Sequence, residues 1–161
     1  MKQLLLLRHA KSSWESLVED RNRSLTEGGV NRIKKMATAS SELFKRFEVV
    51  FSSPANRAMH TACIMMHQVK MPFEFLNLRE QLYTFEVSQL IYFIKSLPDY
   101  YSKVICVGHN PAFTHAVSTL STTNLDHLPT AAWAQIQFEQ NQWVHIQNGQ
   151  AQIGLPKDIL K

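Results

Sequence analysis

Three short stretches carry side chains whose types and spacing suit chemistry on a phosphoryl group. Arg8-His9 follows the apolar run Leu4 to Leu7, Ser52-Ser53-Pro54-Ala55-Asn56-Arg57 follows Val49 to Phe51, and Gly108-His109-Asn110-Pro111 follows Val104 to Val107. A guanidinium keeps its charge at any ordinary pH and offers a planar fork of donors that matches a tetrahedral oxyanion. Two imidazoles can divide the rest of the work, because a neutral ring can attack phosphorus while a protonated one stabilises the equatorial oxygens. Neighbouring arginines favour the neutral ring and a bound phosphate favours the charged one. His9, fixed at the end of the most buried run with its ring N–H held by a backbone carbonyl, is expected to be the nucleophile, and His109 the charge stabiliser. On residue types alone the two roles are interchangeable.

The second and third stretches share a design. Ser53 or Asn110 is placed as an N-cap and Pro54 or Pro111 at the first helical position, so that each helix points free backbone N–H groups and its positive dipole end at the ligand. Arg57, on the first turn, projects into the same space. Ser12, and less so Lys11, are further donors in the polar loop after the first run. These stretches contain no aspartate cluster that would hold Mg²⁺, so the expected chemistry uses no metal and no cofactor. His60, His67, His115, His127 and His145 show no His-Glu-x-x-His spacing and are expected on helix surfaces or a hairpin. Trp14, Trp133 and Trp143 are expected to pack.

Positioning these groups requires strands that end at one level. Leu4 to Leu7, Val49 to Phe51 and Val104 to Val107 read as central parallel strands. Between them Val30, Ile33, Ala37, Ser40, Phe44 and Phe47 keep helical spacing behind a Thr26 N-cap. Ala58, Ala62, Met65 and Met66 form another helical face, as do Val87, Leu90, Ile91 and Ile94, and Phe113, Ala116, Val117 and Leu120. Phe73 to Phe75 reads as a short strand, and Ala132 to Phe138 with Trp143 to Ile146 as a terminal antiparallel hairpin. Alternating strands and helices predict an α/β sandwich, with ligands in the crevice outside the carboxyl ends of the strands.

With 161 residues and 45% hydrophobic composition the chain suits one domain, 1–161, able to fold as a monomer without staples. A charged fraction of 19% argues against disorder, and Arg8 interrupts the only run resembling a signal-peptide core. The two cysteines, Cys63 and Cys106, sit in apolar stretches, as expected of a cytoplasmic protein. The net charge of +4 is spread along the chain, so an acidic or phosphorylated partner is expected rather than nucleic acid or membrane.

Leu7-Arg8-His9-Ala10-Lys11-Ser12, then Ser52-Ser53-Pro54 with Arg57-Ala58 and Thr61-Ala62, then Gly108-His109-Asn110-Pro111, resemble in that order the histidine phosphatase (phosphoglycerate mutase-like) superfamily. The short length and Arg8 to Trp14, followed by Asp20 to Leu25, resemble its SixA-type phosphohistidine phosphatases. The resemblance implies a three-layer αβα fold with a mostly parallel sheet and a C-terminal antiparallel hairpin. It further implies a phosphohistidine intermediate on His9 and a phosphate pocket of Arg8, Arg57 and His109. Arg23 matches an arginine that lies near the pocket in SixA-like sequences, although their usual Arg-Pro-Leu is Arg23-Ser24-Leu25 here and a usual Arg-Gly is Gly28-Gly29. Glu80 matches the place where larger relatives carry a proton-donating glutamate. If Glu80 is only a solvated carboxylate, phosphohistidine becomes the more credible substrate, because a leaving imidazole needs less help than an alkoxide. Larger relatives enclose small substrates with an insertion that this chain lacks, so an open pocket is expected to receive a histidine displayed by a phosphotransfer protein of a signalling relay. A small-molecule phosphomonoesterase and a non-catalytic reader of phosphoproteins are the alternatives.

Overall fold

Four consecutive leucines cannot alternate between a wet and a dry face, so they form a strand only where both faces are covered. The computed structural model, which describes residues 1–15 and 17–161, places them in β1 (Lys2–Arg8), and all four are fully buried. Leu4 and Leu6 join one apolar cluster and Leu5 and Leu7 the other, so a single strand ties together the cores on both sides of the sheet. Three further strands run parallel to β1: β2 (Val49–Ser52), β3 (Leu76–Leu78) and β4 (Lys103–Gly108). β5 (Trp133–Phe138) pairs antiparallel to β1, and β6 (Gln150–Gly154) antiparallel to β5. The spatial order is β3-β2-β4-β1-β5-β6.

Helices fill both faces, giving the three-layer αβα sandwich with a mostly parallel sheet. On one side lie α1 (Glu27–Ala39), followed at once by the short α2 (Ser41–Phe44), α3 (Asn56–Gln68) and α6 (Pro156–Ile159). On the other lie α4 (Val87–Lys95) and α5 (Ala112–Leu120). Thr26 caps α1, its hydroxyl accepting from the Gly29 N–H at 2.9 Å. Gly29 is also where α1 meets the segment after β1, since a Cβ there would stand 2.3 Å from the Lys11 carbonyl oxygen. Among the described residues no helix is long and apolar enough to cross a membrane.

Some expected elements are displaced. Phe73–Phe75 is a 3₁₀ turn, and the strand begins just after it at Leu76. Trp143–His145 is likewise a 3₁₀ turn, which buries the Trp143 indole against Tyr101, and the hairpin's return strand is Gln150–Gly154. Phe73 and Phe75 are exposed, so their apolar character marks neither strand nor core, whereas Trp143 is a single anchor into the core. The caps shift too. α3 begins at Asn56 and α5 at Ala112, so Pro54 and Pro111 precede their helices rather than opening them. Ser53 Oγ accepts from the Ala55 N–H at 3.2 Å, and Asn110 Oδ1 accepts from the Thr114 N–H at 3.1 Å.

Candidate active site

Sheet register brings the three polar stretches to one level. Arg8 pairs with Gly108 across β1 and β4, and Ser52 with Val107 across β2 and β4. The residues just beyond continue the ladder, with His9 N–H donating to Gly108 O at 3.1 Å and Ser53 N–H to Val107 O at 2.9 Å. This is the point where the chain order across the sheet reverses, and a crevice there is what such a sheet offers a ligand. The crevice is an open cleft of about 390 Å³ lined by Arg8, His9, Ser12, Arg23, Arg57, His109 and Asn110 together with Lys11, Trp14, Asp20, Phe85 and Thr130. All the residues proposed to contact phosphate are thus brought together.

The His9 ring is held in one orientation. Its Nδ1–H donates to the Ala10 carbonyl at 2.7 Å, so Nε2 carries the lone pair. The Ala10 N–H is in turn anchored to Thr61 Oγ1 at 3.0 Å, and that hydroxyl donates to Arg57 O at 2.6 Å. Thr61 therefore locks the nucleophile's loop onto the first turns of α3. The His109 ring lies 5.3 Å from that of His9, centroid to centroid, and its Nε2 meets Ser53 Oγ at 2.8 Å. Among the described residues, His109 Nδ1 and Arg8 Nε are buried polar atoms with no hydrogen-bond partner. Two such orphan nitrogens in one cleft, Arg8 Nε–H and His109 Nδ1 once it carries a proton, are what an oxyanion would satisfy.

Burial is the main cause that lowers the pKa of both imidazoles, to about 4 for His9 and about 3 for His109. For His9 the Ala10 hydrogen bond opposes the shift, and the charges of Arg57, Arg8 and Arg23 add to it. His109 is therefore neutral in the anion-free protein and would gain a proton only when phosphate arrives. Both folded values lie below the ordinary histidine value near 6.5, so the unfolded chain takes up protons that the folded one refuses. Their contribution is complete above pH 6.5 and is lost as pH falls toward 4. We expect the melting temperature to drop across that window, and less so with inorganic phosphate present, as scanning calorimetry would show.

Arg57 and Arg23, both almost fully buried, share an acid that the motif reading did not single out. Asp20 Oδ2 accepts from Arg57 Nη2 at 3.0 Å and from the Tyr83 hydroxyl at 2.5 Å, and Asp20 Oδ1 accepts from Arg23 Nη1 at 2.9 Å. Burial pushes the Asp20 carboxyl up, but the hydrogen bonds from Tyr83, Arg57 and Arg23 together outweigh it and hold the group at about 2. Arg23 also donates from Nε to Ser13 O at 3.0 Å and from Nη2 to Ser12 Oγ. The backbone pairing of Ser12 with Leu25 brings these groups together. The one signal available in the sequence was an acid three residues ahead of an arginine in a polar loop.

Three other expectations need correction. Glu80 does not line the cleft. It sits on a 3₁₀ turn after β3 with its side chain 69% exposed, and its carboxylate takes both Nη groups of Arg21, one at 2.9 Å. The Arg21 hydrogen bonds hold its carboxyl below the usual range, so it is ionised and has no proton to donate. Trp133 and Trp143 pack as expected, but Trp14 is 79% exposed and lays its ring over the Arg23 guanidinium, 3.3 Å from centroid to carbon, at the cleft wall. All five remaining histidines are exposed, yet His127 Nε2 lies 3.5 Å from Arg8 Nη1, beside the Leu128 carbonyl that accepts from the same nitrogen at 3.0 Å.

Comparison with known proteins agrees with this geometry. Residues 4–86 match the histidine phosphatase superfamily, branch 1. An uncharacterized chloroplastic protein of Arabidopsis thaliana is 32% identical over 152 residues, covering 88% of this chain and 69% of its own. Among solved structures, the protein histidine phosphatase SixA complexed with tungstate superposes with a TM-score of 0.82 at 21% identity, over 99% of both chains. A phosphoserine phosphatase of Entamoeba histolytica in complex with 3-phosphoglyceric acid superposes with a TM-score of 0.68 at 13% identity, over 96% of this chain and 98% of its own. These two likenesses are of fold.

Proposed function

The chain belongs to the histidine phosphatase superfamily, and from that premise we propose that it is a phosphatase working through a phosphohistidine intermediate on His9. Its proposed substrate is phosphohistidine on a phosphotransfer protein. The observation that carries the reading is the locked His9 ring, Nδ1–H on the Ala10 carbonyl and Nε2 unprotonated, in a cleft that also holds Arg8, Arg23, Arg57 and His109.

The His9 Nε2 lone pair attacks phosphorus opposite the substrate's P–N bond. As that bond breaks, its electron pair stays with the substrate imidazole, which leaves neutral if it was protonated beforehand. The guanidiniums, with His109 once phosphate has raised its proton affinity, stabilise the equatorial oxygens in the cleft. Water then attacks phosphorus, the His9 P–N bond breaks, and phosphate departs while His9 returns to its neutral form.

The preference for phosphohistidine is supported by what the two nearby carboxylates can do. Asp20 is held at about 2 and Glu80 is ionised against Arg21, so neither supplies a proton at neutral pH. An alkoxide leaving group needs such a donor, which is worth ~10²–10⁴-fold, whereas transfer between two imidazoles exchanges bonds of one kind. The exposed rings of Trp14 and Phe85 at the cleft suit a substrate presented on another protein's surface. Two measurements test this. Hydrolysis of a phosphohistidine-bearing phosphotransfer protein is expected to exceed that of an alkyl phosphomonoester by about 10² or more in kcat/KM. Glu80→Gln is expected to leave both rates within about twofold, as for an exposed ion pair. A large selective loss of monoester hydrolysis in Glu80→Gln would restore the general acid and with it the small-molecule reading.

A further inference from the structure

Asp20 sets a negative charge into the wall of a cleft whose other formal charges are all positive. Two of the groups that hold it are guanidiniums of the cleft that phosphate would use. Arg57 donates Nη1 to the Asp20 carbonyl at 2.7 Å and Nη2 to Oδ2 at 3.0 Å, Arg23 donates Nη1 to Oδ1 at 2.9 Å, and Tyr83 donates its hydroxyl to Oδ2 at 2.5 Å. A carboxylate bridging two guanidiniums reproduces the contacts a phosphate would make with them. Orientation alone does not demand the charge. Backbone carbonyls already orient parts of the same network, with Ser13 O accepting from Arg23 Nε and the Asp20 carbonyl from Arg57, and neither carries a formal charge to set against an incoming dianion. The two sides also differ in freedom, for the Asp20 side chain is 41% exposed and that of Arg57 only 3%. The carboxylate can swing toward solvent while the guanidinium stays in place.

We propose that Asp20 is an internal counter-anion that competes with phosphate for Arg57 and Arg23 and so sets how readily the product leaves. The proposal rests on reading the cleft as a phosphate site. Asp20 moves aside as the phosphoryl group engages the guanidiniums, and reclaims them once hydrolysis has produced free phosphate. It touches no reacting atom, so it is a positioning residue whose charge weakens the hold on product.

The test is inorganic phosphate binding by titration calorimetry, with steady-state and single-turnover kinetics, on wild type, Asp20→Asn and Asp20→Ala. Competition predicts that phosphate binds about tenfold tighter or more in both variants. It also predicts that kcat and KM fall together, while the rate at which His9 is phosphorylated stays within a few fold. A residue that merely orients the arginines gives the reverse, with weaker phosphate binding and slower phosphorylation. Phosphate affinity unchanged or reduced in whichever variants fold overturns the proposal. Absence of phosphate binding in wild type would instead overturn the phosphate-site reading on which it rests.

Discussion

His9→Ala is expected to lower turnover of a phosphohistidine substrate by about 10⁴-fold or more, as removal of a catalytic nucleophile does elsewhere. It should also abolish covalent labelling by a phosphoramidate donor. In wild type the label should be acid-labile and alkali-stable and should map to His9. The expectation is sharp because the structure leaves the site no substitute. The other imidazole, His109, has its Nε2 engaged by the Ser53 hydroxyl. His9 differs, its proton tied to Ala10 and its Nε2 lone pair free. His109→Ala should therefore still accept the label and release it slowly, because it loses charge stabilisation and not the attacking atom. Labelling that survives in His9→Ala and vanishes in His109→Ala would reverse the assignment that residue types alone leave open.

How much of this was legible beforehand depended on whether a feature was set by local pattern or by tertiary encounter. The leucine run had to be a central strand, and polar residues placed directly after three such runs had to meet once the runs lay side by side. Arg8, His9, Arg57 and His109 were legible for that reason. Asp20 was not, because its significance comes from three partners at positions 23, 57 and 83, which only the closed fold brings together. Glu80 misled for a related reason. Its place after an edge strand matched the donor of larger relatives, but the turn Glu80–Leu82 lies outside the cleft, and Arg21, two residues before Arg23, faces it from outside. Trp14 was expected to pack on residue type, since sequence gives no sign that an indole will stack on Arg23 at the cleft wall. The return strand of the hairpin was missed because Gln150–Gly154 has few apolar residues, as befits the outermost strand of the sheet.

Arg57→Ala should produce the second largest loss, about 10²–10³-fold in kcat/KM, the usual consequence of removing a fixed donor to developing charge. Arg57 is 2% exposed and its guanidinium is held on Asp20 by two hydrogen bonds, so its position is set before any ligand enters. Lysine cannot replace it. A single ammonium cannot hold the Asp20 carbonyl and also present a planar fork to phosphate, so Arg57→Lys should recover less than about tenfold. A second readout separates lost charge from disturbed packing. Arg57 is among the causes that lower the His9 pKa, and its removal relaxes that shift upward from about 4. The acid limb of the kcat/KM profile, which reports the free enzyme's nucleophile, should therefore move to higher pH in Arg57→Ala and stay near the wild-type position in Arg57→Lys, where the charge persists. A loss of activity in Arg57→Ala with no movement of that limb would place Arg57 outside the electrostatic reach of His9.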